Sequence, residues 1–235
     1  MKTVLLTGFE AFGREKVNPS WRAIKQLDGR MIRGHRIVAR RLPTTFHGSL
    51  ERVLRYLQSM RPVLVICVGQ AGGRGEVTVE RVAINVDDSR IPDNAGRKPV
   101  DVPVVPGGPV AYWSTLPIKT IVRVLRGSGI PASVSQSAGT FVCNHVFYGL
   151  MHALAESADR TKGGFIHVPL LPEQIGCRGR RRSRKTEAVR PKGKTNLPSL
   201  PLKTMVDALA MVVRESLRTT LPVRLRLNRK TSIDP

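Results

Sequence analysis

The stretch Ser135-Gln136-Ser137-Ala138-Gly139-Thr140-Phe141-Val142-Cys143-Asn144-His145 decides how the chain folds. It reads as the end of a strand, a tight turn at Gly139 and the first turn of a helix. A strand feeding a helix through a short turn is the repeating unit of α/β architectures. The same reading puts Cys143 in the first helical turn, where it faces the positive end of the helix dipole and free backbone N–H groups. Both favour thiolate over thiol. A cysteine so placed is either a nucleophile or a small buried hydrophobe.

The pattern repeats on both sides of this stretch. Lys2–Thr7 reads as a first strand, followed by the glycine-bounded loop Gly8–Gly13. Asn18-Pro19-Ser20 opens a helix to about Leu27, with proline in its first turn. Arg36–Leu42 alternates as a strand, and Phe46–Ser59 repeats apolar residues at helical spacing. Val63-Leu64-Val65-Ile66-Cys67-Val68 is apolar on both faces, as a central parallel strand is. Val77–Asn85 alternates and reads as one strand. Asp87–Gly108 is irregular and longer than a simple connector, a kind of loop that often carries function or an interface. Leu116–Arg126 reads as a helix, Ala132–Ser135 as a strand, Phe141–Ser157 as a helix, Gly164–Val168 as a buried strand and Leu202–Leu217 as the last helix.

This alternation predicts an α/β fold: a single-domain α/β/α sandwich over residues 1–235 around a twisted, mixed and largely parallel sheet. In such sheets the site lies beyond the carboxyl ends of the strands. The loops Gly8–Gly13 and Gly69–Gly75, and the turn before Cys143, are expected to converge there.

The composition suits a globular chain, with 41% hydrophobic and 24% charged residues among 235. Three cysteines, at 67, 143 and 177, do not describe a disulfide framework. The amino-terminal apolar run stops at Gly8, which reads as a strand rather than a signal peptide. No apolar run approaches the ~20 residues that span a bilayer. The expectation is a soluble, cytoplasmic protein without a membrane partner. The net charge of +22 is extreme. Arg178–Lys194 holds nine Lys/Arg against one Glu, and Arg224, Arg226, Arg229 and Lys230 follow in the tail. A basic insertion at about 177–197, expected to be mobile, and a basic tail at about 223–235 are thus marked out. Neither run carries the interleaved aromatics or groove-reading helix of nucleic-acid modules. They read as solvated segments appended to a fold with another task.

A thiol nucleophile needs a base, and the base needs an orienting group. His145 lies two residues on, about 200° around the helix from Cys143. His152 is over two turns away, and His35 and His47 open a strand and a helix. His167, in Phe165-Ile166-His167-Val168-Pro169, ends a buried strand and can reach the same end of the sheet. It reads either as a base or as a hydrogen-bonded core residue. Glu80 is an acid inside an apolar strand, costly unless paired or used. It is an orienting carboxylate or the partner of a neighbouring arginine. Cys67 reads as core and Cys177 as an adventitious thiol. No Cys/His cluster has zinc spacing. Gly72-Gly73-Arg74-Gly75 lacks the lysine of a phosphate loop and the dinucleotide pattern. No metal or cofactor is expected.

Six segments in this order resemble the pyroglutamyl peptidase type I family of cysteine peptidases, also called pyrrolidone carboxyl peptidases. They are Thr7–Gly13, Val68–Arg74, Glu80–Asn85, Arg90–Asn94, Ser137–Asn144 and His167–Pro169. The resemblance implies removal of an N-terminal 5-oxoproline from peptides through a triad of Cys143, His167 and Glu80 and a thioester intermediate. It implies a lactam pocket lined by Phe9, Phe12, Thr44, Ile91, Phe141 and Val142. Asn18 and Gln70 would lie near the polar edge of the ring and Arg90 beside the oxyanion site. It also implies a cytosolic homotetramer that needs no cofactor. A pyroglutamyl residue has no free α-amino group, so a small apolar slot with a few amide hydrogen bonds suits it. Taken without the resemblance, Phe9 and Phe12 are equally ordinary core packing near a loop. Ala11, where the family often has proline, and the basic insertion depart from the family pattern. The alternative is a catalytically weak member of the fold whose basic segments bind nucleic acid or another anionic partner.

Overall fold

The computed structural model describes residues 2–13, 15–175 and 197–218. The strands are β1 (Thr3–Phe9), β2 (Met31–Ile32), β3 (His35–Leu42), β4 (Leu64–Gln70), β5 (Val77–Glu80), β6 (Val82–Ile84), β7 (Ala111–Trp113), β8 (Ala132–Ser135) and β9 (Lys162–Val168). The helices are α1 (Pro19–Lys25), α2 (Phe46–Met60), α3 (Ile118–Gly127), α4 (Val142–Glu156) and α5 (Leu202–Arg218). The basic insertion, apart from Leu197, and the basic tail lie outside the described residues, as does Cys177.

Seven strands form one sheet in the order β2-β3-β1-β4-β9-β5-β8. Strands β3, β1, β4 and β9 run parallel. β5 is antiparallel to β9 and parallel to β8. The sheet is therefore mixed and mostly parallel, as expected. Its two faces explain the continuous apolar runs of the central strands. Val4, Leu6, Ile66 and Ile166 pack against Ile24 of α1, Ile121 of α3 and Leu209 of α5. Leu5, Val65, Cys67 and Phe165 pack against Val53 of α2 and Val146 and Leu150 of α4. α4 is buried nearly all round because α2 and the small β6–β7 sheet cover its outer side. The crossing with α2 is close at Gly149, where a Cβ would stand 2.3 Å from Leu50.

One expectation needs correction. Val77–Asn85 is not a single strand. β5 pairs with β8 and β9, and after Arg81 the chain leaves the main sheet to pair β6 with β7. The residues do alternate, but alternation carries no information about which sheet a strand joins. The long segment after β6 is fastened rather than loose. Asn85 donates to the carbonyls of Val105 and Gly108 and accepts from the Val105 N–H, and Asp87 bridges to Val102.

Candidate active site

The site grows out of the register of three strands. Gly69 on β4 lies opposite His167 on β9, and His167 lies opposite Thr78 on β5. Side chains alternate between the two faces, so Cys67 and Gly69, Phe165 and His167, and Thr78 and Glu80 share one face. Glu80 is then the diagonal neighbour of His167 across an antiparallel pair, within reach of a long side chain. His167 Nδ1 stands 2.8 Å from Glu80 Oε1. Both groups are buried, Glu80 completely.

α4 lays Cys143 over the same face. Gly139 makes the preceding turn with φ of +83°, a conformation that favours glycine. Phe141 is the N-cap in extended geometry, and Cys143 is the second helical residue. No side chain caps this end and no acidic residue sits in the first turn. The first-turn N–H groups, which have no intrahelical partner, therefore remain open to another acceptor. The Cys143 thiol rests against Gly69: a Cβ built there would come 2.8 Å from Sγ and 2.9 Å from the Phe165 ring. A glycine near the end of β4, paired across the strands with His167, makes room for the thiol. The sequence reading put Gly69 in the loop after the strand, whereas β4 runs through it to Gln70.

Electrostatics refine the opening expectation for Cys143. Burial pushes its thiol up to about 12, with Glu80 and then Cys67 adding to the rise and Arg74 opposing it. Desolvation is the largest of these influences and favours the thiol over the thiolate. Glu80 behaves in the opposite sense. Burial is the largest single influence and raises its pKa. The hydrogen bond and charge of His167, with Ser135 and Arg74, together outweigh burial and hold the carboxyl below its ordinary value. With Glu80 ionised, His167 donates Nδ1–H to it and its other nitrogen is left for a proton.

Arg74 belongs to this cluster, although the sequence reading left it in a glycine-rich loop. Its Nη1 donates to Glu80 Oε1 at 2.9 Å and Thr78 Oγ1 at 2.7 Å, and its Nη2 lies 3.4 Å from the Ser137 carbonyl. The readings of Glu80 as an orienting group and as an arginine's partner are therefore both realised in one carboxylate.

Of the expected pocket residues, Phe12 and Phe141 meet with ring centroids 5.2 Å apart, and Phe9 approaches Phe165 at 6.4 Å. Phe9 and Val142 are buried, while Phe12 and Phe141 are half-buried. Phe46, absent from the sequence reading, stands edge-on to both Phe141 and His145. Thr44 is buried, and its N–H and hydroxyl bond to Glu10. Asn18 is occupied in building the site: it caps α1 through Ser20 and donates to the Glu10 carbonyl. Gln70 Oε1 accepts from the buried Gln174, another residue the sequence reading passed over. Arg90 and Ile91 are exposed. Their segment is held to the start of α4 by two bonds between Asp88 and Thr140, and by Asn144, which bonds Ile84 and Val86. His145 turns away to Asp87, at 2.7 Å. Among the described residues no group of three or more His, Cys, Asp or Glu could hold a metal ion.

Known proteins place this geometry in context. The family model described as pyroglutamyl peptidase matches residues 2–219. The chain belongs to the pyroglutamyl peptidase family. That is a family of cysteine peptidases. The pyrrolidone-carboxylate peptidase of Bacillus cytotoxicus is 51% identical over 218 residues, 93% of this chain and 94% of that protein. Pyrrolidone-carboxylate peptidase 1 of Ralstonia nicotianae is 53% identical over 224 residues, 95% of this chain and 97% of that protein. The crystal structure of Bacillus amyloliquefaciens pyroglutamyl peptidase I superposes with a TM-score of 0.82 at 45% identity. It covers 93% of this chain and 98% of that one. Among the described residues no helix is long and apolar enough to cross a membrane.

Proposed function

We propose that the protein removes N-terminal pyroglutamate from peptides, with Cys143 as nucleophile, His167 as base and Glu80 as the group that orients it. The observation that carries this reading is the buried Glu80–His167 pair, at 2.8 Å, on the face of the sheet that also holds Cys143 over Gly69. The family to which the chain belongs supports the substrate class.

The chemistry follows from the protonation states. Because Cys143 rests as a thiol, His167 must take its proton as sulfur attacks the carbonyl carbon joining 5-oxoproline to the next residue. The C–S bond forms and the carbonyl electrons move to oxygen. The unpaired N–H groups at the start of α4 are suited to hold that oxyanion, as are backbone groups near Arg90. The C–N bond then breaks, and the amine leaves with the proton from His167. Water, deprotonated by His167, attacks the thioester, releasing 5-oxoproline and restoring the thiol. Glu80 stabilises the imidazolium in both halves of the cycle. Phe9, Phe12, Phe141 and Val142, with Thr44, Gln70, Asn18 and Ile91 at its borders, form the slot for the lactam.

We read the protein as a homo-oligomer, with a tetramer as the expected state. Ile91, Val100, Val102, Val110 and Trp113 are all exposed within one segment, and Val110 is 85% accessible. Such an apolar concentration suits association with another copy. The cytoplasm is the proposed compartment.

Hydrolysis of a pyroglutamyl-arylamide by the purified protein, and its loss on iodoacetamide treatment and in C143S, is the expected result. An inactive wild type, or an active C143S, would remove this function.

A further inference from the structure

We propose that Arg74 is a positioning residue of this site, whose charge offsets that of buried Glu80 so that His167 rests as a neutral base. The inference builds on the proposed triad and adds a fourth member to it.

Glu80 has no solvent exposure, and its contacts are lopsided. Among the described residues, Oε1 receives both His167 Nδ1 and Arg74 Nη1, with the Thr78 hydroxyl at 3.5 Å, while Oε2 is buried without a hydrogen bond. Arg74 is therefore the cationic contact of a carboxylate that water does not reach. The groups facing this carboxylate and thiol are His167 from β9, Cys67 from β4, Ser135 from β8, Cys143 from α4 and Arg74 from the loop after β4.

The charge balance gives Arg74 its role. With Arg74⁺ and Glu80⁻ present, two states of the nucleophile and base leave the cluster without net charge: thiol with imidazole, and thiolate with imidazolium. The reaction moves between them, so the proton transfer changes no net charge in a buried site. Without Arg74, the thiol–imidazole state leaves a buried negative charge uncompensated, which is costly. The cluster then gains by binding a proton on His167, and the base is occupied before substrate arrives. Arg74 also lowers the cost of forming the Cys143 thiolate, since its charge opposes the rise in the thiol's pKa. Its bond to the Ser137 carbonyl places the same cation against the loop that delivers Cys143.

The test is kcat/KM for a pyroglutamyl-arylamide from about pH 5 to about pH 9, measured on the full-length wild type, R74Q, R74M and R74K. In R74Q the acid limb should move up by about one unit, the low end for an opposite charge in contact because the Arg74 side chain is 35% exposed. Activity on the acid side of the limb should fall by up to about tenfold and recover in alkali. R74M keeps the uncharged condition and gives the same readout where R74Q does not fold. R74K restores the charge and should return the limb to the wild-type position. A limb that stays in place in the neutral variants while activity falls equally at every pH overturns the proposal, because that pattern belongs to a loosened loop. R74K behaving like R74Q also overturns it. A wild type without activity instead overturns the peptidase reading beneath it.

Discussion

Adding one methyl group at Gly69 should disable the site while leaving the fold in place. Gly69 does not have a positive φ, so alanine fits its backbone. Space is the constraint: the new Cβ would stand 2.8 Å from Cys143 Sγ and 2.9 Å from Cε1 and Cζ of Phe165. Carbon contacts settle at about 3.5–4.0 Å, so the thiol and the ring must each retreat by roughly 0.7 Å or more. Overpacking of this kind costs about 1–3 kcal/mol. The stiffer unfolded chain of alanine returns about 0.4–1 kcal/mol. A net loss of about 1–2 kcal/mol lowers the Tm by roughly 2–8 °C in a chain of this size. The displacement matters more to catalysis, because a misplacement near 1 Å costs about 10²-fold in rate. Urea unfolding and kcat/KM on a pyroglutamyl-arylamide measure the two effects. A double-mutant cycle with C143A isolates the sulfur: once Sγ is removed, G69A should cost less by about 0.5 kcal/mol or more. Wild-type kcat/KM in G69A, or an identical stability penalty in both backgrounds, would refute the placement of the thiol against β4.

Other substitutions probe the surrounding network. The Glu80 carboxyl is held below its ordinary value in the folded state, so its contribution to stability is present above the unfolded value of about 4.5. That contribution is lost as pH falls through the folded value. E80Q should therefore be less stable than wild type at neutral pH, with the gap closing below about pH 4; a gap independent of pH would count against an ionised Glu80. Asn144 is fully buried and makes three bonds to Ile84 and Val86. N144A should cost about 2–3 kcal/mol and raise KM, because the segment carrying Arg90 and Ile91 loses its hold on α4. Proteolysis within residues 85–110 should quicken in that variant, and an unchanged cleavage rate would show that the hold lies elsewhere.

Much of the layered architecture was legible because it rests on local preferences. The apolar run Val63–Val68 became β4 at the centre of the sheet, and the turn at Gly139 did place Cys143 in the first turn of α4. Helix ends moved by a residue or two, since capping is decided by few atoms. The site was harder to read. Val77–Asn85 alternates throughout, yet its two halves join different sheets. Arg74 looked like part of a glycine-rich loop, and Gly69 like the first residue of that loop rather than part of β4. Gln174 and Phe46 carried no signal that separates them from ordinary polar and core residues.

The sequence by itself determined the alternation of strand and helix and the presence of a cysteine at a helix start beside an unusual strand carboxylate. Periodicity and turn chemistry act over a few residues and survive in one dimension. Only the tertiary structure decided that β5 runs antiparallel beside β9, and that register sets Glu80 diagonal to His167 and opens Gly69 to the thiol. The protonation of Cys143 was decided there too. The helix dipole is a local property that favours thiolate, but the desolvation that pushes the thiol up to about 12 comes from distant segments packing over it.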